Sequence, residues 1–392
     1  MSRVLVVTLP PFAGGVPAKC RVLVDHLRRR GHEVTVAYYA TLSDHPELVA
    51  PSWTPWRRPT TLERTVWDGV GAVAVGCRFP ELEFPYYLPS ERWDRLIKAH
   101  DRHIAVGGTV LASYPLVAAG LPHITWCAAT MIEDRRDRRA AMPWPRRLID
   151  EWVVGPVQAR MERRILAGRG LIRPVSGHTA RLFQSMGAGS CPVMPIPVDC
   201  TRFHPPATPA VAGIVGFAAR LNDPRKNLGL LIEAVALAVA GGADLRLRLA
   251  GDMPHDELAI RLSDPRLAER VDLVGELSLD QLPAFYAGLD IFAIPSHQEG
   301  FGIVGMEAMA SGLPVVSTRC GGPEDYVIPG ETGILVDDSR DMAACLARLT
   351  ADRALRNRLG VQARTLAETR YSHENFAATL AQAWAECWGD GP

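Results

Sequence analysis

Pro295-Ser296-His297-Gln298-Glu299-Gly300-Phe301-Gly302-Ile303-Val304-Gly305-Met306-Glu307-Ala308 links a buried strand to a helix and sets two carboxylates around a glycine-flanked turn. Just upstream, Ile291-Phe292-Ala293-Ile294 is continuously apolar, as a parallel strand covered on both faces requires. Ile303 to Ala310 reads as a short helix closed by Gly312 and Pro314. Glu299 therefore falls in the loop and Glu307 on the helix. At the helix start, backbone N–H groups without intrahelical acceptors and the positive dipole end face whatever lies beyond the strand tip. Gly300 and Gly302 let a ligand come close to the backbone there, and a phosphate or a sugar hydroxyl suits the place.

Outward from this stretch the chain reads as alternating strands and helices, twice over. Arg3 to Leu9 is a strand, and a loop containing Gly14 and Gly15 follows it. In the next helix Val16, Cys20, Leu23, Val24 and Leu27 share one face, Gly31 ends it, and Val34 to Tyr39 is the next strand. A second start comes at Gly213 to Ala218, followed by a polar loop from Arg220 to Asn227 and a helix from Leu228 to Val239. Further strands are expected at Leu245–Ala250, Val271–Val274 and Pro314–Thr318. Between the halves, the prolines from Pro192 to Pro206 forbid a helix and suit an extended linker. The expected fold is α/β, with two doubly wound Rossmann-like domains facing each other across a cleft. Residues 1–190 form the first, 191–209 the linker and 210–372 the second. The stretch from Thr41 to Trp93, rich in Trp, Tyr and Pro, reads as irregular loop packing, with an acceptor-binding wall as the functional alternative.

Composition narrows the function classes. At 392 residues the chain exceeds one ordinary core, and 43 basic against 43 acidic residues leave no global field to attract nucleic acid. The eight cysteines are scattered, with no Cys-x-x-Cys pair and no zinc spacing, as in reduced cytosolic thiols. The N-terminus fits a first strand better than a signal peptide, and no apolar run reaches the roughly 20 residues of a membrane span, so a cytoplasmic location is expected. Arginines cluster over Arg135–Arg147 and Arg160–Arg164, but acidic residues interrupt them, which favours a solvated helix face over a membrane-binding one.

The motif Glu-Gly-Phe-Gly-x-x-x-x-Glu-Ala-Met-Ala-x-Gly-x-Pro-Val-Val, from Glu299 to Val316, resembles the signature of the family 4 retaining glycosyltransferases, which have the GT-B fold. The likeness continues through Gly321-Gly322-Pro323-Glu324 and Gly330 to Val336. It implies that Glu307 binds the ribose hydroxyls of a nucleoside-diphosphate sugar. Glu299, with the amides of Phe301 and Gly302 and the helix start at Ile303, would hold the sugar and outer phosphate. Arg220 and Lys226 have the spacing of the family's diphosphate-binding Arg and Lys. Gly14 and Gly15 would close onto the phosphates, and the loop at Leu277 would meet the nucleobase. The helix over 373–392 would return to the first domain.

No Asp-x-Asp occurs anywhere, so no metal or other cofactor is expected, and Arg220 and Lys226 would carry the charge of the leaving group. Many family members place a histidine after the strand Ile124-Thr125-Trp126, where this chain has Cys127-Ala128-Ala129. Neither His123 nor His103 is positioned to replace it. The resulting expectation is transfer of a hexose from a nucleoside-diphosphate sugar, with uridine favoured, to a hydroxyl of a small acceptor such as an aminoglycoside core. An epimerase of the same fold and a non-catalytic sugar-nucleotide binding subunit are the rival readings.

Overall fold

A computed structural model describes all residues except 11–13, 141, 207–212, 268 and 390–392. The chain divides into two compact units, Met1–Pro195 with Ala377–Pro392, and Ile196–Phe376, the second division falling inside the His373–Trp388 helix.

The first unit is built on seven strands: β1 (Arg3–Thr8), β2 (Glu33–Tyr39), β3 (Thr61–Val66), β4 (Val70–Val75), β5 (Arg102–Val106), β6 (Ile124–Cys127) and β7 (Leu171–Pro174). Their order in the sheet is β3-β4-β2-β1-β5-β6-β7, parallel throughout except that β3 runs against β4. Leu5, Val7, Ala37, Ala105 and Leu116 pack into one apolar layer, as strands covered on both faces demand. The Gly15–Arg29 helix buries Cys20, Leu23, Val24 and Leu27, the face read from the sequence. The sequence does not show that this helix also buries a charge. Lys19 is 1% exposed and its Nζ donates to the carbonyls of Gly107 (3.0 Å) and Trp126 (3.1 Å), above the Trp126 ring. It thereby ties the segments that leave β5 and β6.

The stretch from Thr41 to Trp93 is more regular than expected. It contains the β3–β4 hairpin and the start of a helix over Glu91–Lys98. β3 is an exposed edge strand with no apolar alternation, and β4 carries a glycine, so neither shows a period of two. The turn is legible in hindsight, because Trp67, Asp68 and Gly69 all take positive φ and Asp-Gly is a hairpin signal. The arginine-rich region also differs. Trp144 and Trp152 are each 74% exposed beside exposed Leu148, Ile149 and Val153, so this face is apolar as well as charged.

The second unit holds β8 (Ile214–Ala218), β9 (Arg246–Ala250), β10 (Val271–Gly275), β11 (Ile291–Ile294), β12 (Val315–Thr318) and β13 (Gly333–Val336), all parallel in the order β10-β9-β8-β11-β12-β13. Sequential strands move outward from β8 on one side and from β11 on the other, which puts the topological switch between β8 and β11. The loops that follow those two strands carry the polar loop from Arg220 and the stretch from Pro295. The extended run from Pro192 to Asp199 contains no helix, as its prolines require.

The buried ammonium gives a test. Burial pushes the Lys19 pKa from 10.5 down to about 8. Between those values the unfolded chain binds more protons than the folded one, so this group adds stability as pH rises from 8 toward 10.5. Relative to Lys19→Met, the native chain should gain up to about 3 kcal/mol over that window in urea unfolding. Parallel pH profiles for the two proteins would show that Lys19 does not titrate there.

Candidate functional site

At the carboxyl edge of the second sheet the loops are laced to each other. Gly251 has φ +148, and a Cβ there would sit 1.9 Å from the Ala219 carbonyl oxygen, so only glycine lets the segments after β8 and β9 touch. The Asp252 carboxylate accepts from Leu221 N and from Asn222 Nδ2, each at 2.5 Å. Asp223 caps the short turn Pro224–Lys226 and lies between two guanidinium groups, Arg220 at 2.9 Å and Arg225 at 2.8 Å. Burial works to raise the Asp223 pKa, but hydrogen bonding and charge from Arg225 outweigh it and hold the carboxyl below its usual range.

Lys226 then reaches across to the loop after β11, its Nζ 2.6 Å from Glu299 Oε1. That oxygen also accepts from Ser296 Oγ at 2.7 Å, and Thr318 Oγ1 donates to the Ser296 carbonyl at 2.5 Å. The Glu299 backbone bridges to the segment after β12, donating to Cys320 O at 2.7 Å and accepting from Gly322 N at 2.8 Å. His297 N donates to Arg225 O at 2.8 Å, closing the circuit. A Cβ on Gly322 would lie 2.5 Å from both Gly300 O and Phe301 Cα, so this close backbone approach requires glycine.

Gly302 takes φ +76 and caps the Ile303–Ala310 helix without a side-chain bond, while its carbonyl accepts from the Tyr326 hydroxyl at 2.8 Å. Gly305 N donates to the Gly302 carbonyl at 2.9 Å, so the Ile303 and Val304 amides are the ones a ligand could take. Phe301 is 4% exposed, with its ring against Tyr326 and Tyr371, so its side chain belongs to the core and only its backbone can face a ligand. Glu307 accepts from the fully buried Tyr286 hydroxyl at 2.8 Å. Burial raises its pKa to about 7, opposed by that hydrogen bond and by the charge of Arg202.

The structure therefore joins Lys226 to Glu299 directly and Arg220 to them through Asp223, Arg225 and His297. Phe301, Gly302 and Ile303 form the adjoining turn. Leu277 stands apart, partly buried in the loop after β10, with β9 and β8 between its strand and β11. Gly14 and Gly15 belong to the first unit. Both are exposed, and Gly14 needs glycine for its φ of +105 rather than for space. Sequence reasoning missed Asp223, Arg225, Ser296 and Tyr286. Arg225 could have been found as a second cation beside Lys226, whereas Ser296 and Tyr286 are too ordinary in their local sequence to stand out.

The two histidines of the first unit sit where expected. His123 precedes β6, at the amino edge of the sheet, bonded through Nδ1 to the Leu121 carbonyl. His103 is a buried core residue bonded through Nε2 to the Ile97 carbonyl at 3.0 Å. Burial lowers both pKa values, so both rings stay neutral. Cys127 is fully buried and its thiol is pushed up to about 12, which makes it a poor nucleophile at neutral pH. Among the described residues no three His, Cys, Asp or Glu side chains are grouped as a metal ion requires.

Residues 212–352, which contain this entire circuit, match the family described as Glycosyl transferases group 1. Over those residues the chain is similar to the group 1 glycosyltransferases. The chain is 29% identical to a GDP-mannose-dependent alpha-mannosyltransferase of Mycolicibacterium smegmatis, over 90% of its own length and 89% of the relative's. It is equally identical to the GDP-mannose-dependent alpha-(1-6)-phosphatidylinositol monomannoside mannosyltransferase of Mycobacterium tuberculosis, over 97% of both chains. Among solved structures, the sucrose-phosphate synthase of Thermosynechococcus elongatus superposes with a TM-score of 0.73 at 20% identity, covering 99% of this chain and 100% of that chain. Anabaena HepE in complex with UDP and glucose gives 0.72 at 17% identity, covering 98% and 100%. These likenesses establish the architecture of two Rossmann-like units seen in GT-B enzymes.

The raised Glu307 pKa has a measurable consequence. Because the folded value lies above the usual 4.5, the group costs stability at pH 8, and that cost disappears as pH falls through 7 toward 4.5. Glu307→Gln should be more stable than the native chain by about 1 to 3 kcal/mol at pH 8, with no advantage at pH 5, in urea unfolding. A variant less stable at pH 8 would refute this account of the site.

Proposed function

We propose that this glycosyltransferase moves a hexose from a nucleoside-diphosphate sugar to a hydroxyl acceptor with retention of anomeric configuration, and that the donor is GDP-mannose. The observation that carries the reading is the Lys226–Glu299 pair, 2.6 Å apart, beside a helix start that lacks a side-chain cap. A diphosphate arriving there would find the Lys226 ammonium, the Arg220 guanidinium and free amides, all fixed in advance by the laced loops. The second unit would thus bind the donor, with Glu307 on the ribose hydroxyls, and the first unit would bind the acceptor.

In the reaction the acceptor hydroxyl forms a bond to the anomeric carbon as the bond from that carbon to the phosphate oxygen breaks. Both events occur on one face of the sugar, and the departing phosphate takes the hydroxyl proton. Negative charge grows on the outer phosphate, where Lys226 and Arg220 stabilise it without a metal ion. The relatives that align over nine-tenths or more of the chain are GDP-mannose enzymes, which speaks for that donor over the uridine nucleotide expected from the sequence. Where their names state an acceptor it is a phosphatidylinositol mannoside, so a polyol hydroxyl is the acceptor class adopted here. No helix among the described residues is long and apolar enough to cross a membrane, so a lipid-linked acceptor would have to be met at a surface.

Incubation with GDP-mannose or UDP-glucose and a panel of polyols, followed by mass spectrometry and anomeric coupling constants, tests the proposal. Transfer from GDP-mannose with the α-configuration kept is expected. An inverted product would remove the mechanism, and preference for UDP-glucose would remove the donor assignment. A changed sugar without any acceptor would make the protein an epimerase. Lys226→Ala should lower turnover about a hundredfold or more, and activity should survive exhaustive chelation. Activity abolished by chelator and restored by magnesium would transfer that charge role to a metal.

A further inference from the structure

An open cavity of about 570 Å³ lies in the first unit, walled by Tyr39, Ser43, Glu81, Glu83, Tyr86 and Tyr87 among others. Tyr39 is the last residue of β2, and Glu81 to Tyr87 follow β4, so the cavity stands at the carboxyl edge of the parallel sheet. Gly14, which precedes the Gly15–Arg29 helix, lies at the same edge, because β1 pairs with β2 in parallel. Ligands of such sheets bind at that edge, and the volume suits one or two sugar-sized rings.

The lining has a definite chemistry. Tyr39 stacks on Tyr86 with centroids 4.6 Å apart, and Tyr87 meets Tyr39 edge-on at 5.3 Å, giving an aromatic wall. The charge at the lip is negative. Glu83 receives the Arg146 guanidinium at 2.9 Å, and the same group also donates to the Glu81 carbonyl, so that cation is committed to the protein. Glu81 Oε1 accepts from Ser52 N at 2.8 Å, while its Oε2 is buried with no hydrogen-bond partner. An unpartnered buried carboxylate oxygen is costly and is relieved by a donor supplied from outside. Phe79 and Glu83, at the two ends of the Pro80–Leu82 turn, hold φ of +54 and +60. Strain of this kind in non-glycine residues persists where the surroundings enforce it, and it commonly marks ligand sites.

We propose that this cavity is the acceptor subsite and that it selects a polyhydroxylated ring bearing a protonated amine and no phosphate. The inference rests on the assignment of the acceptor to the first unit. Ring hydroxyls and C–H faces meet the tyrosines, and the ammonium meets Glu81 and the aromatic faces. A phosphate would bring a further anion against two carboxylates, beside a guanidinium already committed to Glu81 and Glu83. The subsite thereby separates this chain from relatives named for inositol phosphate.

The test is isothermal titration of the full chain with three probes: an aminocyclitol, myo-inositol and inositol 3-phosphate. The aminocyclitol should bind about tenfold or more tightly than myo-inositol, with the phosphate weakest. Tyr86→Ala and Glu81→Gln should each weaken the aminocyclitol about tenfold while leaving GDP binding unchanged, which reports an intact fold. Ser43→Arg, which adds a cation at an exposed position of the lip, should act in the same direction and serves if Tyr86→Ala does not fold. Inositol 3-phosphate as the tightest probe, or aminocyclitol binding indifferent to all three substitutions, overturns the subsite while glycosyl transfer stands. Absence of GDP binding by the native chain would overturn the donor assignment and leave the subsite to the three probes.

Discussion

A lysine ammonium and a glutamate carboxylate held 2.6 Å apart at the tip of a parallel sheet impose most of what surrounds them. The pair is largely shielded from water, with side-chain exposures of 19% and 11%, so neither charge is cheaply left alone. Each end is therefore anchored elsewhere. Lys226 stands on a turn capped by Asp223, and Glu299 is bound to Ser296 and bridged through its backbone to the segment after β12. An arriving diphosphate would exchange one partner of the ammonium for another without moving the loops, and this is the meaning of preorganisation in such a site.

The same demand explains the glycines. Loops at a sheet edge have no ladder to satisfy their backbone groups, so they must satisfy each other at short range. Gly251 against Ala219 and Gly322 against Gly300 are the two places where a Cβ would break that contact. Gly302 is different in kind. Its left-handed φ turns the chain from loop to helix and adds no side-chain cap at the helix start, so under the proposed function its constraint would serve the ligand as well as the fold.

These facts determine how much the sequence could reveal. Ile291–Ile294 and Ile303–Ala310 were legible to the residue, because a bare apolar run and a glycine-bounded helix have few alternative readings. The Lys226–Glu299 contact was approached only as two separate motifs, since nothing local states that residues 73 apart will meet. β3 was hidden because an exposed edge strand has no inner face to alternate with, and β4 because it is buried almost throughout and carries a glycine. Lys19 was hidden for the opposite reason. Sequence places lysine in water, and here two carbonyls at the ends of β5 and β6 draw it inside. Tertiary partners from distant segments override local preference in both cases.

The cations of the donor loop are not equivalent, although their spacing in the sequence treats them alike. The Arg220 side chain is 72% exposed and is held by one carboxylate three residues away, whereas Lys226 is 19% exposed. A charge in water is screened by solvent and ions, while a partly desolvated one acts through a lower effective dielectric and loses little to salt. In the proposed reaction, developing charge on the leaving phosphate would therefore be stabilised chiefly by Lys226 and the helix amides. In the same proposal Arg220 would contribute mainly to attracting and orienting the diphosphate before reaction. Raised ionic strength would accordingly weaken capture through Arg220 more than it slows the chemical step, so its signature lies in the Michaelis constant, while that of Lys226 lies in turnover.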